Sequence, residues 1–173
     1  EWAENRKDLT PGEAAGAGHQ RPTDLPTIPP MRPGDVVSYL EMCSREGLSL
    51  QRGMNFRASP THSVVLMSVR PGAPYQDQVR DQGRTLIYEG HDAPRTKEVP
   101  DPKAIDQPLL TDKDTLTQNG RFYMAAEACR NQELPAELVR VYEKVRAGVW
   151  VYSGVFRLVD AWQEESEGRM VFK

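Results

Sequence analysis

Residues 74–92 read PYQDQVRDQGRTLIYEGHD, and this stretch says more about the chain than any other. Tyr75 and Tyr88 bracket a run of acidic and amide side chains, with Gly83 at the predicted turn between them. Two aromatic rings and a carboxylate can hold one flipped-out nucleobase, because the rings stack on its faces and the carboxylate accepts a hydrogen bond from an exocyclic amine. Cytosine offers such an amine. Tyrosines in strands also form core contacts and cross-strand pairs, and that interpretation stays open here.

The sequence on either side of this stretch predicts several strands and one clear helix. Residues 63–69 (SVVLMSV) are apolar and β-branched, which is typical of a strand covered on both faces. Residues 120–132 predict a helix, with Asn119 as its cap and Phe122 in its apolar stripe. Further strands are predicted at 35–39, 85–88, 150–152, 155–162 and 169–172, whereas the apolar spacing of 138–145 fits either a strand or a helix. Loops are predicted at 46–60 and 90–107, and a hairpin turn at the acidic run 163–167.

Composition and length are those of one folded domain preceded by a leader. The 173 residues are 38% hydrophobic, with a mean hydropathy of −0.64. Residues 1–30 contain five prolines and predict a flexible leader or linker, which leaves 31–173 as the domain. No run of about 18 apolar residues occurs, and the start lacks a signal-peptide pattern, so we expect a cytoplasmic protein.

The charge and the reactive side chains limit the possible functions. The net charge of −3 argues against a protein that coats nucleic acid through bulk electrostatics. It does not exclude a protein whose positive charge is concentrated in a few loops. The three histidines and the two isolated cysteines, Cys43 and Cys129, form no metal or nucleophile motif. We therefore expect no cofactor in this chain.

The segment 74–92 resembles the pocket of SRA (SET and RING-associated, or YDG) domains, which recognise modified cytosine by base flipping. Other pieces, between Met31 and Lys173, follow in the family's order: Arg32-Pro33-Gly34-Asp35, residues 63–69, Asp106-Gln107, residues 116–119 (LTQN) and residues 155–162. Tyr152-Ser153-Gly154 stands where the family has Tyr-Asp-Gly. The ending Glu89-Gly90-His91-Asp92 is similar to the bacterial branch in which such a domain precedes an HNH endonuclease.

This resemblance implies an α+β fold built on a twisted, partly open β-barrel with flanking helices, of the SRA and PUA-like type. It implies binding of double-stranded DNA that contains 5-methylcytosine or 5-hydroxymethylcytosine, as the targeting domain of a modification-dependent restriction endonuclease. The chain itself would then be a non-catalytic reader. A divalent metal would be needed only by a nuclease outside this chain, and a homodimer could form through that missing region.

By the same resemblance, Tyr75 and Tyr88 stack on the base and Asp77 reads the cytosine edge. Gln78 occupies the place where animal SRA domains carry their base-reading aspartate, which makes Asp81 a rival to Asp77. Glu89 and Gly90 complete the predicted pocket, since Gly90 lets the backbone approach the base closely.

The remaining predicted contacts are with the DNA around the pocket. Leu48, Arg52 or Met54 would fill the space that the base leaves, while Arg57 and Ser59 would bind phosphate. Arg70, Arg95 and Lys97 add positive charge near the pocket. His91 would contact phosphate or hold its loop, and Asn119 would contact the DNA backbone or serve the helix start.

Three other functions remain open from the sequence. The chain could be a PUA-like module that binds modified RNA, a nuclease or other hydrolase in its own right, or a protein-interaction scaffold. The sequence does not distinguish among cytosine modifications, sequence contexts or oligomeric states.

Overall fold

The computed structural model of the protein describes residues 30–50 and 52–173. Residues 31–173 form one compact unit. The predicted leader, residues 1–30, lies outside the described residues except for Pro30. No helix in the described part is long and apolar enough to cross a membrane.

The described residues form an α+β structure with one main sheet. Its strands, in spatial order, are β1 (Val36–Ser38), β7 (Val149–Leu158), β6 (Glu137–Arg146), β3 (His62–Met67) and β2 (Met54–Ser59). Within this sheet β3 and β6 are parallel and the other pairs are antiparallel. Two separate hairpins join β4 (Gln78–Arg80) to β5 (Thr85–Ile87) and β8 (Gln163–Ser166) to β9 (Arg169–Phe172). The helices are α1 (Tyr39–Glu46) and α2 (Gln118–Arg130).

Strand β3 organises the core because both of its faces are covered. Val64 and Leu66 join one hydrophobic cluster, to which α1 contributes Met42. Val65 and Met67 point to the other face and join a second cluster, to which α2 contributes Phe122. Successive side chains of a strand alternate between faces, so a continuous apolar run is what this position requires. The predicted buried strand at 63–69 is confirmed in type and place.

Helix α2 begins two residues earlier than predicted, and its cap is a different residue. Thr117 precedes the helix and its hydroxyl accepts a hydrogen bond from the N–H of Gly120. Asn119 lies inside the helix, so the prediction that it caps the helix was wrong. Thr117 satisfies the rule that a short hydroxyl side chain caps a helix.

Three other predicted segments differ from the structure. The predicted loop 46–60 contains β2, which lies at the edge of the main sheet and pairs with β3. The predicted strands 150–152 and 155–162 are one strand, β7, which ends at Leu158 and passes through Gly154 with φ of +114°. The acidic run forms β8 rather than a turn. Strand β8 carries mainly exposed polar side chains and lacks the apolar alternation that predicts a strand, whereas β2 does show that alternation in Met54, Phe56 and Ala58.

Candidate nucleic-acid interface

A cavity of about 650 Å³, here called the tyrosine cavity, lies where residues 70–77 pass the end of β3. Its walls include Tyr75, Asp77 and Tyr88, the three residues predicted to stack on the base and to read its edge. Its volume falls within the range of small-ligand pockets, about 300–1,000 Å³. The fold therefore brings the two rings and one carboxylate to a single cavity.

Asp77 is fixed by two backbone groups from different segments. Its Oδ2 accepts a hydrogen bond from the N–H of Ser68 at 2.8 Å, and its Oδ1 accepts one from the N–H of Glu89 at 3.0 Å. Burial raises the pKa of Asp77 to about 6, although both backbone hydrogen bonds act to lower it. Each carboxylate oxygen keeps a lone pair, so Asp77 can accept a further donor in the cavity.

The two tyrosines each contact a neighbouring side chain of the 90–107 loop. The hydroxyl of Tyr88 lies 2.8 Å from Nε2 of His91, and the ring of Tyr75 stacks on the His91 imidazole at 5.6 Å between centroids and 25° between planes. The ammonium of Lys103 lies 4.5 Å from the centre of the Tyr75 ring. Burial, and then the charge of Arg52, lowers the pKa of His91 and favours its neutral form.

A buried ionic network lies behind the tyrosine cavity. Glu89 accepts a hydrogen bond from the N–H of Gln76 and pairs with Lys173, both at 2.9 Å. Asp92 pairs with Arg169 at 2.7 Å. The side chains of Glu89, Lys173 and Arg169 are all less than 5% exposed. Strand β9 and the residues just after it thus fix the segment that follows Tyr88, and Glu89 belongs to this network rather than to the wall of the cavity.

Two glycines allow close packing, Gly53 against Tyr88 and Gly90 against the interior of the domain, and Gly90 does not line the tyrosine cavity. At Gly53 a Cβ atom would collide with the hydroxyl of Tyr88 and lie 2.8 Å from Nε2 of His91. At Gly90 a Cβ atom would lie 2.7 Å from Oε1 of Gln107 and 2.8 Å from Oδ1 of Asn119. Gly53 lines the tyrosine cavity and was not predicted. A glycine in a loop before a strand is common, so the sequence around Gly53 gave no specific sign of this role.

The other predicted base-reading residues do not line the tyrosine cavity. Asp81 is exposed at the tip of the β4–β5 hairpin with φ of +50°. Gln78 lies in β4 and its side-chain carbonyl accepts hydrogen bonds from Arg80 at 2.7 and 3.1 Å. The structure therefore separates both residues from the pair of tyrosines, and Asp77 is the aspartate that lies beside them.

Two of the predicted DNA contacts are buried in the domain. Met54 is 5% exposed and lies in the second hydrophobic cluster. Asn119 is 2% exposed and exchanges two hydrogen bonds of 2.8 Å with the backbone of His91. Both side chains are therefore held inside the fold. Leu48 is partly buried against the first cluster.

The other predicted DNA contacts are more accessible. Arg52 and Arg70 are exposed and line the tyrosine cavity, together with Lys144, Trp150 and Tyr39, which were not predicted. Arg57 is exposed and lies 3.8 Å from Glu137. Ser59 bonds to Thr61 and His62, and the exposed residues Arg95 and Lys97 lie in the 90–107 loop. Within residues 30–50 and 52–173, no group of three or more His, Cys, Asp or Glu side chains is placed to hold a metal ion.

Comparison with known proteins identifies the fold. The SRA domain of SUVH5 bound to hemimethylated CG DNA matches with a TM-score of 0.55 at 24% identity, over 84% of this chain and 87% of that chain. The same domain bound to fully hydroxymethylated CG DNA matches with a TM-score of 0.56 at 23% identity, over the same shares. AspBHI, a DNA modification-dependent restriction endonuclease, is less similar, with a TM-score of 0.45 at 15% identity over 76% of this chain and 63% of that chain. No protein-family model matches the chain, and no curated protein sequence matches it. The chain has the fold of SRA domains, which rests on the SUVH5 structures.

Proposed function

We propose that this chain, with its SRA fold, binds double-stranded DNA containing 5-methylcytosine or 5-hydroxymethylcytosine by flipping the modified base into the tyrosine cavity. The observation that carries the proposal is the convergence of Tyr75, Asp77 and Tyr88 on one cavity. SUVH5 SRA domains have been crystallised with methylated and hydroxymethylated DNA, which supports the same substrate class for this chain.

The chemistry of the tyrosine cavity suits a cytosine. Stacking of a base on an aromatic side chain contributes about 1–3 kcal/mol, so two rings offset much of the few kcal/mol that unstacking costs. The ionised Asp77 accepts a hydrogen bond from the exocyclic amine of cytosine, whereas a thymine offers a carbonyl oxygen at that position. Asp81 is too exposed to discriminate in this way, because water would satisfy it equally well.

The positive charge around the tyrosine cavity supports DNA binding despite the overall charge of −3. Arg52, Arg70 and Lys144 line the same cavity as Asp77. A flipped nucleotide keeps its phosphates at the mouth of the pocket that receives its base, and cationic side chains position that backbone. We assign Arg52 and Arg70 to phosphate contacts, with Arg57, Arg95 and Lys97 as further candidates on the exposed loops.

The proposal extends to the architecture and context of the domain. Residues 31–173 form the reading domain and residues 1–30 its leader. The five-stranded sheet and the two hairpins wrap into a twisted, partly open β-barrel. The domain targets a modification-dependent restriction endonuclease whose HNH nuclease, with its divalent metal, lies outside this chain.

The test is binding of one duplex that carries cytosine, 5-methylcytosine or 5-hydroxymethylcytosine at a single position, with a matched RNA as competitor. We expect tighter binding of a modified duplex, and loss of this preference in Asp77→Ala, Tyr75→Ala and Tyr88→Ala. Asp81→Ala is the matched control, because it removes an exposed aspartate of the same segment, and it should keep the preference.

Equal affinity of the wild-type protein for all three duplexes would refute the proposed function. Tighter binding of the RNA would favour the PUA-like alternative. Metal-dependent cleavage of DNA by this chain alone would identify it as a nuclease in its own right.

A further inference from the structure

Two side chains of the 90–107 loop contact the pocket tyrosines without belonging to the aromatic pair. His91 contacts both rings: its Nε2 lies 2.8 Å from the hydroxyl of Tyr88, and its imidazole stacks on Tyr75 with centroids 5.6 Å apart. Lys103 contacts Tyr75 only, with its ammonium 4.5 Å from the centre of the ring. Both tyrosines are therefore restrained from the same loop.

Asp92 connects these two side chains. It follows His91 directly in the chain, and its Oδ2 lies 3.3 Å from the ammonium of Lys103. Its Oδ1 lies 2.7 Å from the guanidinium of Arg169, which is 4% exposed. Lys103 also donates a hydrogen bond of 2.5 Å to the carbonyl of Pro74, the residue before Tyr75. The loop residues that contact the tyrosines are thus anchored in the buried part of the domain.

We propose that His91 and Lys103 are positioning residues that hold Tyr88 and Tyr75 in the orientation that receives the flipped base. This inference rests on the proposed function and assigns His91 a role other than phosphate contact. A ring that is already fixed loses little conformational entropy when a base stacks on it. Restraining the ring therefore raises the affinity for the flipped base. An unrestrained ring must be ordered by the base itself.

The hydrogen bond between His91 and the Tyr88 hydroxyl allows a test that distinguishes a positioning role from a merely structural one. Tyr88→Phe removes the hydroxyl that His91 contacts and leaves the ring. If His91 acts on Tyr88 through that hydroxyl, then Tyr88→Phe should lower the preference for modified over unmodified DNA in the wild-type protein but not further in His91→Ala, which loses the contact with Tyr75 as well. A net hydrogen bond of ordinary strength corresponds to about a three- to tenfold loss.

Lys103 is tested by Lys103→Met, which keeps most of the side-chain stem and removes the charge. We expect the preference to fall by about two- to fivefold, the range of a partly exposed cation–π contact. Lys113→Met is the matched control, because Lys113 is an exposed lysine of another loop, and it should leave the preference unchanged. His91→Gln retains an amide that can reach the Tyr88 hydroxyl, and it should recover part of what His91→Ala loses.

The outcomes distinguish failure of the positioning role from failure of the proposed function. The measurement is the ratio of dissociation constants for the unmodified and 5-methylcytosine duplexes, on variants whose circular dichroism matches that of the wild type. If the wild type prefers modified DNA but His91→Ala retains that preference, or if the His91 and Tyr88 substitutions multiply in the double variant, the positioning role is overturned and the proposed function stands. If the wild type shows no preference, both are overturned.

Discussion

Lowering the pH from 7 to 5 should weaken the preference for modified cytosine through one group, Asp77. Its pKa is raised to about 6 because burial penalises its charged form more than its two backbone hydrogen bonds favour it. At pH 7 the carboxylate is mainly ionised and accepts the amine of the flipped base strongly. At pH 5 it is about nine-tenths protonated, since the pH then lies one unit below its pKa.

The size of the effect follows from the strength of the contact that is lost. A hydrogen bond to a charged group contributes about 1.5–3 kcal/mol, and a neutral one about 0.5–1.5 kcal/mol. Protonation of Asp77 therefore costs about 1–1.5 kcal/mol of base recognition. This corresponds to a fall of up to about tenfold in the ratio of affinities for modified and unmodified DNA.

Fluorescence anisotropy with the two duplexes, at fixed ionic strength and at half-unit steps from pH 5 to pH 8, measures this ratio. The ratio removes the general gain in DNA affinity that a more positive protein shows at low pH. Asp77→Asn should give a ratio that is low and independent of pH, whereas Asp81→Ala should follow the wild type. A wild-type ratio that stays constant between pH 5 and pH 7 would refute the assignment of Asp77 as the ionised base reader.

Three further predictions concern stability and the shape of the tyrosine cavity. Because the pKa of Asp77 in the folded protein lies above its ordinary value of 3.8, this group makes the free energy of unfolding fall by about 3 kcal/mol as the pH rises from about 4 to 6. Asp77→Asn should flatten that slope in urea denaturation, and parallel profiles for the two proteins would contradict it. Gly53→Ala should abolish the preference for modified DNA, because the new Cβ atom meets the Tyr88 hydroxyl. Overpacking of this kind lowers the free energy of unfolding by about 1–3 kcal/mol. Unchanged binding would show that Tyr88 moves away freely. Lys173→Met should lower the free energy of unfolding by about 3 kcal/mol, because among the described residues Glu89 then keeps Arg169, at 3.8 Å, as its one cationic partner. A thermal midpoint equal to that of Lys97→Met, an exposed control, would rule this out.

The parts of the fold that could be predicted from sequence are those whose burial is strong. Strand β3 is apolar throughout because both faces are covered, and α2 buries an apolar face against the main sheet. The spacing of 138–145 fitted a strand or a helix, so β6 was predicted only with the help of the resemblance to SRA domains. Strand β8 could not be predicted, because an exposed hairpin strand places polar side chains in solvent. Strand β2 was missed although Met54, Phe56 and Ala58 alternate with polar residues, as is typical of a strand with one buried face. The continuity of β7 through Gly154 was missed because the dipeptide Ser153-Gly154 is a turn signal.

The residue types that meet at the tyrosine cavity could be predicted from the sequence, but their arrangement could not. Tyr75, Asp77 and Tyr88 are close in sequence, so a single hairpin brings them together and the sequence alone suggests their association. The residues that restrain them, such as Gly53, Lys103 and Arg169, come from distant segments, and no pattern along the chain connects them. Choosing between Asp77 and Asp81 required knowing how exposed each side chain is. That exposure depends on how the β4–β5 hairpin packs in the fold.

The negative net charge becomes an advantage if the domain must find a rare modified base in a large excess of ordinary DNA. Electrostatic attraction supplies almost all of non-specific binding, so a net charge of −3 keeps that binding weak. In the proposed function, base recognition by Tyr75, Asp77 and Tyr88 is added only where a modified cytosine is flipped. Arg52, Arg70 and Lys144 line that same cavity. Adding cations elsewhere on the surface would increase binding to every site equally. It would leave the specificity ratio unchanged while sequestering the protein on unmodified DNA.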